Sequence, residues 1–199
     1  MSSAVSGFDD ERNIIWDPAF FHVLDGVSLR KAQLLFGSTL YTQIETGTVK
    51  GLQQIHSFIF GGLYDFAGKI RTKNIAKDNF QFAPAQFLDQ TLKDIEAMPE
   101  STFDEILNKY VEMNVAHPFM EGNGRSTRIW LDMILKKNLQ KCVDWSQIDK
   151  QEYLNAMKIS CTDSTEIKKL VKGALTDKIN DREMFMKGID YSYYYEQPE

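Results

Sequence analysis

The chain has 199 residues, of which 43% are hydrophobic, 12% aromatic and 26% charged; this composition is typical of a folded globular domain and excludes wholesale disorder. With 23 basic and 28 acidic residues, the net charge is −5, so the chain lacks the positive field that sequence-independent binding to nucleic acid requires. Two cysteines without metal-ligand spacing, no leader pattern and no stretch of ~20 apolar residues predict a cytoplasmic protein without a membrane anchor.

The N-terminal third predicts two helices behind a loose arm. Residues 1–27 mix glycine and aspartate with apolar side chains in no clear period, so they predict an irregular arm. Apolar positions from Ser28 to Phe36 fit a short helix. From Leu52 to Phe66 apolar residues recur at steps of three and four, which predicts a second helix with one face in a core.

The pattern changes between Gly68 and Pro84. Phe80 and Phe82 alternate with polar residues after a polar turn, which predicts a short hairpin or an extended loop. Ordinary core packing is the simplest interpretation of Phe82.

The rest of the chain is helical in pattern. One helix is predicted between Phe87 and Pro99, and another follows Thr102, which can form a capping box with Glu105. A third, from about Ile129, is apolar on most sides and is therefore expected at the centre of the fold. Further helices are expected at 150–158, 164–175 and 181–196. The predicted architecture is an all-α bundle with one small β element.

Residues His117 to Arg128 form the passage that neither periodicity nor capping explains. Gly122 and Gly124 allow backbone conformations that turn N–H groups inward, and the positive end of the following helix points to the same place, so an anion cradle is predicted. Arg125 and Arg128 leave the first turn of that helix three residues apart and can both bind phosphate oxygens.

Two further residues of this passage suit chemistry on a bound phosphate. Glu121 would repel a phosphate unless a hard cation stood between them, which makes it a candidate Mg²⁺ ligand. The imidazole of His117 is the group whose ordinary pKa suits proton removal near neutrality. Taken singly, a Gly-Asn-Gly turn or an arginine pair is as often structural as functional; their convergence favours a functional site.

The passage HPFMEGNGRSTR resembles the signature HxFx[DE]GNGRxxR of the Fic (filamentation induced by cAMP) family and matches it at every defined position. The flanking segments LQQIHSFIFGGLYDFAGKIR, NIAKDNFQFAP and ILNKYVEMNVAHPF are similar to the family's core. The resemblance implies an all-α Fic fold with a small hairpin flap and transfer of AMP from ATP to a hydroxyl side chain of a target protein. It divides the chain into an arm (1–27), a Fic core (28–180) and a C-terminal helix and tail packed on that core (181–199).

The resemblance also implies a role for each residue of the signature. His117 would be the general base, Glu121 would hold Mg²⁺ and Phe119 would anchor the loop in the core. The remaining residues would bind the phosphates of ATP: Gly122, Asn123, Gly124, Arg125 on the β-phosphate side and Arg128 at the γ-phosphate.

The segment from Lys73 to Phe82 resembles the family's flap, which pairs its main chain with an extended segment of the target; Lys73, Asn74 and Phe80 are the flap residues assigned here. Because main-chain pairing carries little side-chain code, the flap does not name the target. The family implies a protein with a Ser, Thr or Tyr hydroxyl, and a type II topoisomerase subunit is a first candidate.

The C-terminal sequence IDYSYYYEQPE resembles the inhibitory helix [ST]xxxE[GN] of class III Fic proteins. Ser192 and Glu196 would be its defining pair, with Glu196 competing with the γ-phosphate for Arg128; Gln197 departs from the Gly or Asn of the pattern. Tyr193 would be a candidate for auto-modification once this helix is released, and class III relatives imply a homo-oligomer.

Two other functions stay open. The same site could remove AMP from a protein by metal-dependent hydrolysis, with Glu196 and Glu121 supplying the carboxylates. Alternatively, the chain could be a non-catalytic nucleotide-binding or docking module in which His117 only ends a helix. His22 and His56 are assigned no role.

Overall fold

The computed structural model describes residues 18–77 and 80–197, with side chains described from residue 23 onward. Within these residues the chain forms eight α-helices and two small antiparallel sheets of two strands each, which confirms the predicted all-α architecture. The helices are α1 (Pro18–Leu35), α2 (Val49–Phe60), α3 (Leu88–Ala97), α4 (Phe103–Ala116), α5 (Asn123–Leu139), α6 (Lys150–Ile159), α7 (Thr165–Gly173) and α8 (Arg182–Tyr194); the strands are β1 (Ala76–Lys77), β2 (Phe80–Gln81), β3 (Cys142–Val143) and β4 (Leu175–Thr176).

Helix α1 begins ten residues before the position predicted from the sequence. Pro18 opens it, a residue whose fixed φ suits the first helical turn. Its inner face runs from Leu24 through Ser28 to Ala32 and Leu35, all buried. Because Ser28 stands in the middle of this face, the apolar period is interrupted in the sequence. Residues 1–17 of the predicted arm lie outside the described residues.

Helix α2 ends at Phe60, six residues before the end of its predicted apolar stripe. Gly62 takes a left-handed φ of 80° and the chain turns there. Leu63 and Phe66 still pack against the core, but from a turn rather than from a helix. The helix was predicted to be too long because the apolar spacing continues past the glycines at which the helix ends.

Helix α5 lies at the centre of the fold, as its all-round apolar sequence predicted. It packs against α2 and α4 and is also in contact with α8 and β3. Trp130, Leu131, Ile134 and Leu135 are all buried along its length. The N-terminus of α5 is consequently held in the interior, where its first residues meet α1, α2 and the end of α8.

A second small sheet was not predicted. In it, β3 pairs with β4, with Cys142 opposite Thr176 and Val143 opposite Leu175. Strands of two residues are too short to display the alternation that identifies a strand in a sequence. Among the described residues, no helix has both the length and the apolarity to cross a bilayer.

The capping box at the start of α4 yields a stability prediction. Thr102 accepts a hydrogen bond from Glu105 N, while the Glu105 carboxylate accepts from Thr102 N at 2.9 Å. Thr102→Ala removes one half of this pair and is expected to lower the free energy of unfolding by about 1 kcal/mol in urea titrations. Ser101→Ala, one residue earlier and outside the box, is the matched control and should change stability by less than about 0.5 kcal/mol; equal losses in both variants would contradict the assignment.

Candidate active site

The loop between α4 and α5 is shaped by two left-handed residues. His117 ends α4 with φ 48° and ψ 65°, and Gly122 precedes α5 with φ 79°. A side chain on Gly122 would meet the Phe60 ring at 2.4 Å, so both the backbone and the space require glycine there. The predicted glycine turn thus lies directly at the N-terminus of α5.

Asn123 closes this loop on itself. Its Oδ1 accepts a hydrogen bond from Phe119 N and its Nδ2 donates to Phe119 O, each at 2.8 Å. The side chain therefore fastens the loop. A contact of Asn123 with phosphate would have to come from its backbone N–H at the start of α5. The Phe119 ring is fully buried, in agreement with the anchoring role that the resemblance implies.

His56, to which the sequence assigned no role, supports the loop from α2. Its ring stacks on Phe119 with centroids 3.8 Å apart. Nδ1 accepts from Gly68 N at 2.9 Å, so the hydrogen is on Nε2, which donates to the carbonyl of Glu121 at 2.9 Å. Burial lowers the pKa of His56 to about 4 and keeps it neutral. Histidine spacing alone could not reveal this bond, because it joins residues 65 positions apart.

The imidazole of His117 is neutral and oriented. Nδ1 lies 3.1 Å from the carbonyl of Asn114, which can only accept, so Nδ1 carries the hydrogen and Nε2 is left as a proton acceptor. Burial is the main cause that lowers the pKa of His117 to about 4. The ring of Phe82 stacks on it, with centroids 3.7 Å apart and planes 14° apart. Phe82 therefore packs on the candidate base and is only half-buried, which differs from the core packing expected for it.

The two arginines at the start of α5 are buried and pair with carboxylates. Arg125 donates to Glu121 Oε1 at 2.8 Å and forms a second ion pair with Asp25 of α1. Arg128 donates to Glu196 Oε1 at 2.5 Å and, through Nε, to the hydroxyl of Ser192 at 2.7 Å. The structure thus brings Ser192 and Glu196 to Arg128, as the resemblance implied, and adds Asp25, which no sequence pattern had marked.

The Glu196 carboxylate lies against the start of α5. A Cβ on Gly124 would stand 2.2 Å from Glu196 Oε1, so this oxygen occupies the space directly over that glycine. Burial opposes the ionised form, but Arg128 and Arg125 outweigh it and lower the pKa of Glu196 to about 2. A fixed negative charge therefore already occupies the predicted anion cradle.

Tyr195 positions this carboxylate. Its hydroxyl bonds the carbonyls of Trp145 at 2.7 Å and Ile148 at 2.9 Å, and its ring stacks on Tyr153. Gln197 keeps a negative φ, so the chain has no need here for the Gly or Asn of the family pattern. Tyr193 is buried with its ring 5.3 Å from the Arg125 guanidinium, so auto-modification there would require α8 to move and stays a prediction.

The predicted hairpin is present beside this loop. β1 and β2 pair Ala76 with Gln81 and Lys77 with Phe80. The Phe80 ring packs edge-on against Phe82, and Asn74 Oδ1 accepts from Ala85 N at 2.8 Å. Phe80 and Asn74 therefore help to shape the hairpin and the two segments that flank it, residues 71–75 and 82–85, which we call its first and second stems. Lys73 lies in the first stem.

Glu121 suits the role of a carboxylate that binds Mg²⁺ together with phosphate oxygens. No group of three or more His, Cys, Asp or Glu side chains that could hold a metal occurs among residues 18–77 and 80–197. Mg²⁺ is, however, commonly held by one or two carboxylates together with phosphate oxygens. The Glu121 carboxylate is partly exposed beside the α5 N-terminus and accepts from Gly122 N at 2.9 Å, a position that suits such a site.

Comparison with known proteins agrees with these features. Residues 47–135 match the family model described as Fic/DOC family. Over 118 residues the chain is 32% identical to "Protein adenylyltransferase VbhT" of Bartonella schoenbuchensis, covering 53% of this chain and 24% of that protein. It is 26% identical to "Probable protein adenylyltransferase Fic" of Escherichia coli over 117 residues, 53% of this chain and 58% of that one. The chain thus spans less than two thirds of either relative.

Solved structures share the fold. The N-terminal FIC domain of Bep8 from Bartonella sp. 1-1C superposes with a TM-score of 0.71 at 17% identity, over 84% of this chain and 89% of that one. BepC from Bartonella tribocorum, solved with bound AMPPNP, gives a TM-score of 0.63 at 18% identity, over 81% and 89%.

The left-handed glycine before α5 can be tested by its replacement. Gly122→Ala places a Cβ in a strained conformation and against Phe60, so it should lower the free energy of unfolding by about 1–3 kcal/mol in urea titrations. Gly26→Ala is the matched control: it lies inside α1 with open space around it and should raise stability by about 0.5–1 kcal/mol. A neutral result at Gly122 would mean that the loop is free to adopt another conformation.

Proposed function

Because residues 47–135 of this chain form a domain of the Fic/DOC family, we propose that the protein transfers AMP from ATP to a hydroxyl side chain of a target protein. The observation that supports this most strongly is the pairing of a neutral imidazole, with Nε2 as acceptor, with a helix N-terminus flanked by two buried arginines. That combination offers a proton acceptor and an anion site within one loop.

The nucleotide would bind by exchange of anions. Arg125 and Arg128 are held by carboxylates, and the Glu196 carboxylate lies over Gly124. Phosphate oxygens can replace these carboxylates, because they make the same charge-assisted bonds to guanidinium groups and to backbone N–H groups. The β- and γ-phosphates would then lie at Arg125 and Arg128, which leaves the α-phosphate toward His117.

In the transfer step, the oxygen of the target hydroxyl forms a bond to the α-phosphorus while the bond from that phosphorus to the oxygen bridging the α- and β-phosphates breaks. His117 Nε2 takes the hydroxyl proton, and pyrophosphate leaves with the bonding electron pair. Positioning and charge stabilisation supply most of the acceleration in phosphoryl-type transfer.

Glu121 would hold Mg²⁺ together with the phosphates. Bound there, the ion would neutralise charge on the phosphate oxygens. Glu121 also bonds Arg125, so the same carboxylate would orient the arginine before the metal and nucleotide arrive. The target segment would pair with the exposed edge of the hairpin, which lies next to His117 through Phe82.

We further propose that Glu196 inhibits the enzyme by occupying Arg128. A charge-assisted hydrogen bond contributes about 1.5–3 kcal/mol, so this contact can weaken productive binding of ATP by roughly ten- to a few-hundred-fold. The bonds of Tyr195 to the carbonyls of Trp145 and Ile148 hold the inhibitory carboxylate in place.

The role of His117 is tested by its removal. His117→Ala should lower AMP transfer by about 10²–10⁴-fold and leave ATP affinity unchanged, because His117 supplies no phosphate ligand. Transfer is measured with ATP labelled on the α-phosphate, and affinity by calorimetry. His117→Asn is the companion variant, since asparagine tolerates the left-handed backbone of this position. Loss of ATP binding in the asparagine variant would contradict the assigned role.

The inhibitory contact is tested by Glu196→Gly and Glu196→Gln. Both should raise labelled transfer, to the protein itself or to proteins of a lysate, by roughly ten- to a few-hundred-fold. Glu183→Gln changes an exposed carboxylate in the first turn of α8, the helix that precedes Glu196, and should leave transfer unchanged. An unchanged rate in both Glu196 variants would reject the inhibitory contact, and label on no protein in any variant would favour the non-catalytic nucleotide-binding module.

A further inference from the structure

The side chain of Arg71 is buried between the hairpin and the end of α4. It is 4% exposed, and within the part of the chain that the structure describes its donors bond carbonyl oxygens. Nε bonds His117 O at 2.7 Å, and Nη2 bonds Ala116 O at 3.0 Å. Nη1 bonds Lys73 O at 2.7 Å, and Nη2 also bonds Ala83 O at 2.6 Å. Four carbonyl groups from three segments therefore meet at one guanidinium.

These four carbonyls belong to the two parts of the site that must be aligned. Lys73 and Ala83 are in the stems on either side of the β1–β2 hairpin. Ala116 is the last residue of α4 and His117 is its C-cap, and at this end a helix leaves carbonyl groups without partners inside the helix and carries a partial negative charge. A guanidinium suits this position because its donors lie in one rigid plane and its charge matches the helix end.

Two main-chain hydrogen bonds connect the same segments as the side chain of Arg71. Arg71 N donates to Pro118 O at 2.9 Å, and Ala83 N donates to Val115 O at 3.1 Å. Each stem is therefore bonded to the α4 end by its own backbone, and Arg71 joins the two stems across it. The stacking of Phe82 on the imidazole depends on this arrangement, since Phe82 directly precedes Ala83.

We propose that Arg71 is a positioning residue that sets the alignment between the hairpin and the imidazole of His117. Among residues 18–77 and 80–197, its side-chain hydrogen bonds go to the hairpin stems and to the end of α4, not to the arginines or carboxylates of the phosphate site. Its part is to hold the edge on which a target segment would pair at a constant distance and angle from the proton acceptor. The consequence for catalysis rests on the function proposed above, whereas the alignment itself is a property of the fold.

The alignment is measured without any target protein. In the parent, Nδ1 of His117 carries the hydrogen, so the ¹⁵N shifts of its ring at pH 7 should report the Nδ1–H tautomer, assigned by comparison with His117→Asn. In Arg71→Lys, the charge is kept but four carbonyls cannot be reached from one ammonium group. The ring should then show a mixture of both tautomers, and the hairpin amides should exchange hydrogen about tenfold faster.

A matched control removes a buried cation from α4, the helix whose end Arg71 contacts, at a position away from His117. Lys109 is 2% exposed and bonds Glu96 O and Glu100 Oε2; it lies eight residues before His117, about 12 Å along α4. Lys109→Met is expected to lower stability while leaving the tautomer and the hairpin exchange unchanged. Arg71→Met tests the same point with complete loss of the charge, and Arg71→Lys decides it if the methionine variant does not fold.

Activity is measured in the Glu196→Gly background with ATP labelled on the α-phosphate. Arg71→Lys should reduce labelled transfer by about tenfold or more, at unchanged affinity for ATP. Parent-like ¹⁵N shifts and hairpin exchange in Arg71→Lys, or equal changes in Lys109→Met, would overturn the positioning role. If the Glu196→Gly parent itself transfers no label, the proposed function fails, while the tautomer and exchange measurements still decide the role of Arg71.

Discussion

The site depends on two arginine side chains that are buried at the positive end of a central helix. Arg125 and Arg128 have only a few per cent of their side chains exposed, and a buried cation is costly unless it is paired and hydrogen-bonded. At the N-terminus of α5 the helix adds further positive character. Three carboxylates from different parts of the chain compensate these charges: Asp25 on α1, Glu121 in the loop itself and Glu196 after α8. Without bound anions from solution, the charges of the site are balanced by the chain's own residues. On the proposed function, an incoming polyphosphate would exchange with these carboxylates.

Two neutral histidines serve this arrangement in opposite ways. In His56, Nδ1 accepts from Gly68 N and Nε2 must donate to Glu121 O, so both ring nitrogens are used in holding the α4–α5 loop against the segment that follows α2. In His117, Nδ1 donates to a carbonyl and Nε2 is left to accept. Burial lowers the pKa of both to about 4. The same side chain is therefore structural in one case and suited to proton transfer in the other, because the neighbour of Nδ1 is a donor in the first and an acceptor in the second.

The parts of the site that could be predicted are contiguous in the sequence, and those that could not are joined across the fold. The loop from His117 to Arg128 was readable because its glycines, arginines and acid stand within twelve positions, and Ser192 and Glu196 because they are one helical turn apart. Asp25 reaches Arg125 over 100 residues, and Arg71 reaches the end of α4 over 45 and 46. Arg71 stands between Lys69 and Lys73 and reads as one more surface cation. For the fold, helices with a clear period were predicted, whereas the start of α1 was obscured by a serine on its buried face and the second sheet by its two-residue strands.

The two partners of the ion pair between Arg128 and Glu196 are synthesised at different times. Its partners are 68 residues apart, and a ribosome adds roughly 5–20 residues each second. The loop and α5 are thus synthesised several seconds before the carboxylate that covers them. In that interval Arg128 has no Glu196 carboxylate to pair with, so the pairing of these two residues can only follow the synthesis of α8.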